Sequence, residues 1–224
     1  MKEYKIKVRK LTDVSLLREC ASYTSGKECS MTLHKAYANK HSIIRSQLFV
    51  VEMVDIPLFC ASQFVRSTQG VNWYQRTKRT DRGGLDFIAE CQRIDNDLNG
   101  IVVEIENGER IDADELKNIQ SDILDLTDKY DRYAPTSLLG IMNSEAIMNM
   151  SEKRLCYQAS TETREIWEQV LQEVAKCDPD LVKFCVKPCI SHGGICREHC
   201  CGFNKTDLFK KQLEKYKSNF AKRM

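Results

Sequence analysis

Gln47-Leu-Phe-Val-Val-Glu-Met-Val-Asp-Ile-Pro57 decides how the rest of the chain is read. Leu48, Phe49, Val50, Val51, Met53, Val54 and Ile56 put apolar side chains on both parities of one short run. That pattern predicts a strand buried on both faces. Pro57 has a fixed φ and no N–H to donate, so it suits the first position of a following helix. In that helix Leu58, Ala61 and Val65 form an apolar stripe. Phe59, Gln63 and Arg66 form a second one, ending in an amide and a guanidinium.

Upstream, Tyr4 to Val8 alternates and predicts a first strand. Asp13 to Ala21 predicts a helix capped by Thr12 or Asp13, and Ser30 or Thr32 can cap another that runs to Lys40, just before His41. Downstream, Gly70 ends the helix after Pro57. Val71 to Arg79 reads as extended and mixes aromatics with cations. Such a segment either clamps a nucleotide or is a surface strand with Lys and Arg outward. Asp81-Arg-Gly83-Gly84 is a turn. Residues 81–131 read as an insertion. Ile101-Val-Val-Glu-Ile, Asn107-Gly108 and Arg110-Ile111 predict a β-hairpin. A helix capped by Asp112 or Asp114 follows, with Leu116, Ile119, Ile123 and Leu126 on one face.

Asn143-Ser-Glu-Ala-Ile-Met-Asn149-Met-Ser-Glu-Lys-Arg154-Leu-Cys156 carries no Gly or Pro and predicts a helix. Asn143 and Arg154 are eleven residues apart, almost whole turns, so on a helix both point to one side with Ile147 and Met150. Asn149 lies on the flank. An amide donates and accepts at once, which suits a heterocycle edge, and a guanidinium suits a phosphate or an enolate oxygen. The alternative is an ordinary surface helix. Ser160 or Thr161 caps the next helix, which buries Ile166, Val170 and Val174, and Asp178-Pro179 stops it.

With 224 residues the chain can bury a real core, and Lys+Arg 34 against Asp+Glu 32 gives a formal charge of +2. That balance gives no reason to expect nucleic-acid binding. No apolar run approaches a membrane span, and Met1-Lys-Glu-Tyr-Lys-Ile-Lys-Val lacks the apolar core of a signal peptide. The expectation is a cytoplasmic protein. Residues 1–204 are expected as one domain, and 205–224 as a basic C-terminal helix or tail. In a reducing compartment the eleven cysteines are thiols, metal ligands or redox groups rather than a disulfide frame. They concentrate in residues 177–204. Cys185 to Cys201 holds five Cys and two His, with Gly193-Gly194 as a turn. The spacing is not a paired C-x-x-C pattern. Structural zinc, an iron–sulfur cluster and buried thiols all remain open, with Cys156, Cys189, Cys196 and Cys200 as the candidate metal ligands.

Several of these segments together resemble the flavin-dependent thymidylate synthases (ThyX-like), and most closely their divergent phage and Firmicute branch. The resemblance rests on His41-Ser-Ile-Ile-Arg-Ser, the apolar strand, Ile56-Pro-Leu-Phe-Cys-Ala-Ser-Gln63-Phe-Val-Arg66, Gly70-Val71 and Thr77-Lys-Arg79. Asn143, Asn149 and Arg154 fall at the family's spacing, and Arg154-Leu-Cys-Tyr-Gln-Ala-Ser-Thr-Glu-Thr-Arg-Glu-Ile and Gly-Gly-Ile-Cys are typical of that branch. It covers about Val8 to Arg79 and Arg132 to Cys200, and leaves the insertion uncovered.

The resemblance implies an α/β (α+β) domain with a mostly antiparallel sheet flanked by helices, assembled as a homotetramer with FAD across subunit contacts. It implies synthesis of dTMP from dUMP, with methylenetetrahydrofolate giving the carbon and NADPH the hydride. No enzyme cysteine attacks the pyrimidine in that chemistry. By position, His41, Ser42, Arg66, Asn143 and Asn149 match flavin contacts. Thr77 and Arg79 match the residues that hold the nucleotide phosphate. Arg154 matches the catalytic arginine at the pyrimidine, and Arg132 matches another nucleotide arginine. The family signature departs here: Arg66-Ser67-Thr68 stands where typical members have Arg-His-Arg. Gln63 stands where the phage branch often has His, and the acid expected near Asn72 or Trp73 is missing. The span from Arg66 to Arg79 is also one residue longer. These departures keep open a second reading, a non-catalytic nucleotide-binding or assembly subunit.

Overall fold

A computed structural model describes residues 3–76, 87–108, 110, 112–130, 132, 134–196 and 199–221. The run that opens the sequence reading forms strand β2 (Leu48–Pro57). It lies inside a four-stranded antiparallel sheet ordered β1-β2-β4-β3, with β1 at Lys5–Lys10, β3 at Val71–Gln75 and β4 at Pro135–Asn143. Val51 pairs with Val8 on one side and with Gly140 on the other. Phe49, Val51 and Met53 are completely buried, whereas Val50 alone is buried on the opposite parity before the bulge. The expectation of equal burial on both faces therefore holds for one face and only part of the other. The register shifts between Met53 and Ile56, where Asp55 has φ +57°. Asp tolerates that left-handed geometry better than a β-branched residue would.

Helices α1 (Val14–Ser25), α2 (Leu33–Ala38), α3 (Leu58–Phe64), α6 (Ser144–Arg154) and α7 (Thr161–Cys177) share one apolar core with the sheet. The capping residues are those the sequence offers. Asp13 accepts from Ser15 N, Thr32 from Lys35 N and Ser160 from Thr163 N, each satisfying an otherwise unpaired donor of a first turn. The indole of Trp167 on α7 is fully buried and donates to Ser151 Oγ on α6 at 3.0 Å. This ties the two helices without leaving a polar atom unpaired.

Asp178 closes α7 and caps α8 (Pro179–Val182), and only 1% of it is exposed. Its Oδ2 accepts from Lys10 Nζ on β1 at 2.6 Å and from Tyr37 Oη on α2 at 2.8 Å. One buried carboxylate thus joins three elements, and removing it strands a cation and a phenol, a loss of roughly 3–5 kcal/mol. Beyond α8 come α9 (Pro188–Ser191) and α10 (Asp207–Ala221). Cys189, Ile190, Phe203 and Phe209 form a second, smaller core, packed by Leu213 and Tyr216 of α10. The segment 205–224, expected as a basic helix or tail, holds helix α10, which has an apolar edge.

The expected β-hairpin is overturned. Residues Phe87–Glu106 form one long helix, α4, and Ala113–Tyr130 form α5, so the insertion is a pair of helices. Ile94 and Ile101, seven residues apart, meet Ile119 and Leu126 in a third cluster. The helical period of these residues outweighs the strand preference of Ile101-Val-Val. Asn107-Gly108 still turns the chain, with Gly108 at φ +74° as a helix end. No helix among the described residues is long and apolar enough to cross a membrane.

Candidate functional site

Arg154 is the last residue of α6, and its guanidinium reaches the C-terminal end of α3. Nη2 donates to the carbonyl of Gln63, and Nη1 lies 3.5 Å from Gln63 Oε1. A cation at the last carbonyls of a helix has a purely structural use, because it satisfies oxygens with no partner in the helix. That use leaves one atom over. Arg154 Nε is buried and has no hydrogen-bond partner. Burial and, secondarily, the charge of Arg66 lower the pKa of Arg154. A guanidinium held under these conditions gains from an anion or a polarised carbonyl brought beside it.

Space for such a group exists. A cleft of about 580 Å³ is lined by Phe59 and Gln63 of α3, Arg132, the end of α6 with Glu152, Lys153 and Arg154, Cys156 and Gln158 to Ser160 of the following loop, and Thr163. The Arg132 guanidinium stacks 4.5 Å from the centre of the Phe59 ring, and its carbonyl accepts from Phe59 N at 2.9 Å. Two arginines and a lysine therefore line one cavity against the single carboxylate of Glu152, a positive balance that phosphate and carbonyl oxygens favour.

Of the residues expected at a flavin, His41, Ser42 and Asn149 lie on another flank of α6, whereas Arg66 is near enough for its charge to act on Arg154. His41 caps a 3-10 turn, Ser42–Ser46, that packs beside α6. Arg45 of this turn pairs with Glu145 at 2.6 Å, and Lys40 with Glu152 at 3.4 Å. Glu145, Asn149 and Glu152 are spaced as one helical stripe, so Asn149 faces the flank where His41 and Ser42 sit. His41, Ser42, Asn149 and Arg66 are all exposed. Asn143 corrects the helix expectation. It ends β4 and caps α6, its Oδ1 accepting from Ala146 N at 2.9 Å, so it does not continue the stripe of Arg154. A Cβ on Gly70, at φ +72°, would come within 2.6 Å of its Nδ2, so this amide is tightly seated. Ser67 is also tied down: Trp73 Nε1 donates to its carbonyl at 2.8 Å. Thr77 and Arg79 lie outside the described residues.

The cysteine-rich end comes together in part as expected. Cys156, Cys189, Cys196 and Cys200 line one small void of about 10 Å³, joined by Cys201, which was not among the expected ligands. Burial first, then the nearby Cys201 and Cys156, raise the Cys189 thiol. Among the described residues no three His, Cys, Asp or Glu side chains are grouped to hold a metal. Burial also pushes the Cys60 and Cys185 thiols up to about 11 and about 12, so neither is a nucleophile at neutral pH. The sequence reading missed that this segment reaches the cleft, where Pro188, His192, Cys196 and His199 form a wall. Its wealth of Cys and His pointed to metal, and no local pattern shows which cavity a distant loop will line.

No protein-family model matches the sequence, and no curated protein is similar to it. The fold is similar to that of two solved structures. One is thymidylate synthase X from Helicobacter pylori, with FAD and dUMP: TM-score 0.53, 11% identity, over 83% of this chain and 100% of that one. The other is a UMP/dUMP methylase from Streptomyces cacaoi, bound with 5-Br dUMP: TM-score 0.51, 10% identity, over 82% of this chain and 95% of that one. At such identities the likeness is one of fold: the chain carries the mixed architecture of these two proteins, an antiparallel sheet flanked by helices.

Proposed function

We propose that the chain methylates a pyrimidine nucleotide at C5, converting dUMP to dTMP with FAD, methylenetetrahydrofolate and NADPH. The observation that carries this reading is Arg154: a half-buried guanidinium whose Nε is buried and unpartnered, on a cleft where cations outnumber the one carboxylate, in a fold shared with a thymidylate synthase and a UMP/dUMP methylase. In this reading Arg154 binds a pyrimidine carbonyl and stabilises the negative charge that develops on the ring as C5 takes the carbon. Arg132 contacts the nucleotide, and Thr77 and Arg79 hold its phosphate.

The flavin, when bound, supplies the redox chemistry that completes the methyl group. His41, Ser42, Arg66 and Asn149 fit a role in holding it, because they present polar groups on the surface rather than in a closed cavity. Such a surface suits a cofactor shared between copies of the chain, in a homotetramer. Asn143 fits less well, since its acceptor oxygen is committed to the helix. Turnover tests the reading. Protein supplied with FAD, dUMP, methylenetetrahydrofolate and NADPH without oxygen is expected to form dTMP. Well-folded protein that forms none contradicts it.

The segment Arg66-Ser67-Thr68, in which Trp73 holds Ser67, favours one other reading. A chain that lacks the family's ring at this position binds the nucleotide without turnover, as an assembly or binding subunit. Nucleotide binding with no flavin uptake distinguishes it.

A further inference from the structure

His192 follows directly on α9 and donates its backbone N–H to Pro188 O at 2.9 Å. Gly193 and Gly194 come next, at φ +66° and +103°, backbone that a residue with a Cβ adopts only under strain. The chain therefore turns back immediately after His192. Gly194 N donates to Cys189 O at 2.7 Å, and Asn204 Nδ2 donates to Gly194 O at 2.8 Å, which close the turn. Further on, His199 O accepts from Gln158 Nε2 at 3.2 Å and ties the segment to the loop that lines the Arg154 cleft. The fold thus sets the His192 ring on the cleft wall, rather than leaving it on a free loop.

The Nδ1 atom of His192 is buried and has no partner. Among the described residues the only other buried side-chain nitrogen in that condition is Arg154 Nε, and both residues line the same cleft. Each buried polar atom left unpaired costs about 1–3 kcal/mol, so two on one cavity point to a ligand that pairs with them. The two groups suit different parts of it. A permanently charged guanidinium suits phosphate and carbonyl oxygens. An imidazole beside Pro188 and Cys196 offers a flat face and one ring nitrogen, which suits the edge of a planar heterocycle.

We propose that His192 contacts the pyrimidine base of the bound nucleotide, so that the Cys/His segment selects the base while the arginines hold its charge. This inference rests on the nucleotide reading of the cleft.

The test is calorimetric titration of the full chain with dUMP and, separately, with 2′-deoxyribose 5-phosphate, which lacks the base. The expected result is that His192→Ala weakens dUMP by about tenfold or more and leaves the sugar phosphate unchanged. His192→Asn, which keeps a polar atom near the place of Nδ1, is expected to recover part of the loss. His192→Ala binding dUMP as the wild type does, or losing both ligands equally, overturns the inference while the nucleotide reading stands. Wild type that binds no dUMP overturns both. Should His192→Ala not fold, His192→Asn against His192→Gln decides: the inference requires Asn to bind dUMP more tightly, and equal binding overturns it.

Discussion

Arg154 shows how one residue answers to two demands. Its Nη atoms serve the end of α3, and its buried Nε has no partner, which the proposed reading assigns to a ligand. Arg154→Ala is expected to lower the rate of dTMP formation by roughly 10²–10³-fold, the effect of losing one donor at a developing oxyanion. Arg154→Lys is expected to restore little, because an ammonium cannot serve the α3 carbonyl and a ligand as a planar fork does. A lysine variant with nearly full activity contradicts the role. Tyr37 gives a prediction of a different kind. Burial and then the Asp178 carboxylate push its phenol far above the ordinary value of 10.0. Above pH 10 the unfolded chain loses this proton and the folded chain keeps it, so the folded state binds more protons and stability falls as pH rises. Denaturant titrations at pH 8 and 10.5 should therefore show a steeper loss for wild type than for Tyr37→Phe, and parallel losses contradict the assignment. That Arg154 is a candidate came from its spacing to Asn149, and the structure adds its place on the cleft. His192 was not legible, since its place on the cleft comes from a turn more than thirty residues further along the chain.

Elements were legible where period and caps agreed. The caps of α1, α2 and α7 are all residues the sequence offers for that task. In the insertion the helix expected after Asp112 or Asp114 forms as α5, but the hairpin fails because local strand preference at Ile101-Val-Val and the Asn107-Gly108 turn point to strands, whereas burial follows Ile94 and Ile101 against α5. Ile101→Ala should weaken this small cluster by about 2–5 kcal/mol or less. Hydrogen exchange is expected to speed up in α4 and α5 and to leave β2 and α7 protected; uniform acceleration across the chain contradicts an independently packed pair. Asn143 failed for a related reason, since a helical projection cannot tell a cap from the first turn. Gly70→Ala tests that corner. The left-handed backbone alone costs about 1–2 kcal/mol, and the new Cβ meets the Asn143 amide at 2.6 Å. A clear fall in melting temperature is expected, and no change contradicts the packing described.

At the scale of the molecule the sheet sets where the elements meet. β2 pairs on both edges, β4 delivers its chain directly into α6, and α3 follows β2 without a loop. These connections bring Gln63 and Arg154 together from positions 91 residues apart. The antiparallel architecture was legible through resemblance rather than periodicity, because pairing partners are not written locally. The surface placement of His41, Ser42, Arg66 and Asn149 is a property of the tertiary fold and was invisible to any local reading.

The most direct measurement is the absorption spectrum of the protein purified without oxygen, before and after NADPH, with dUMP present. Flavin-dependent methylation requires a bound flavin band that bleaches on reduction. Colourless protein that takes up no added FAD, while still binding dUMP, contradicts the proposed chemistry and leaves a nucleotide-binding subunit in its place.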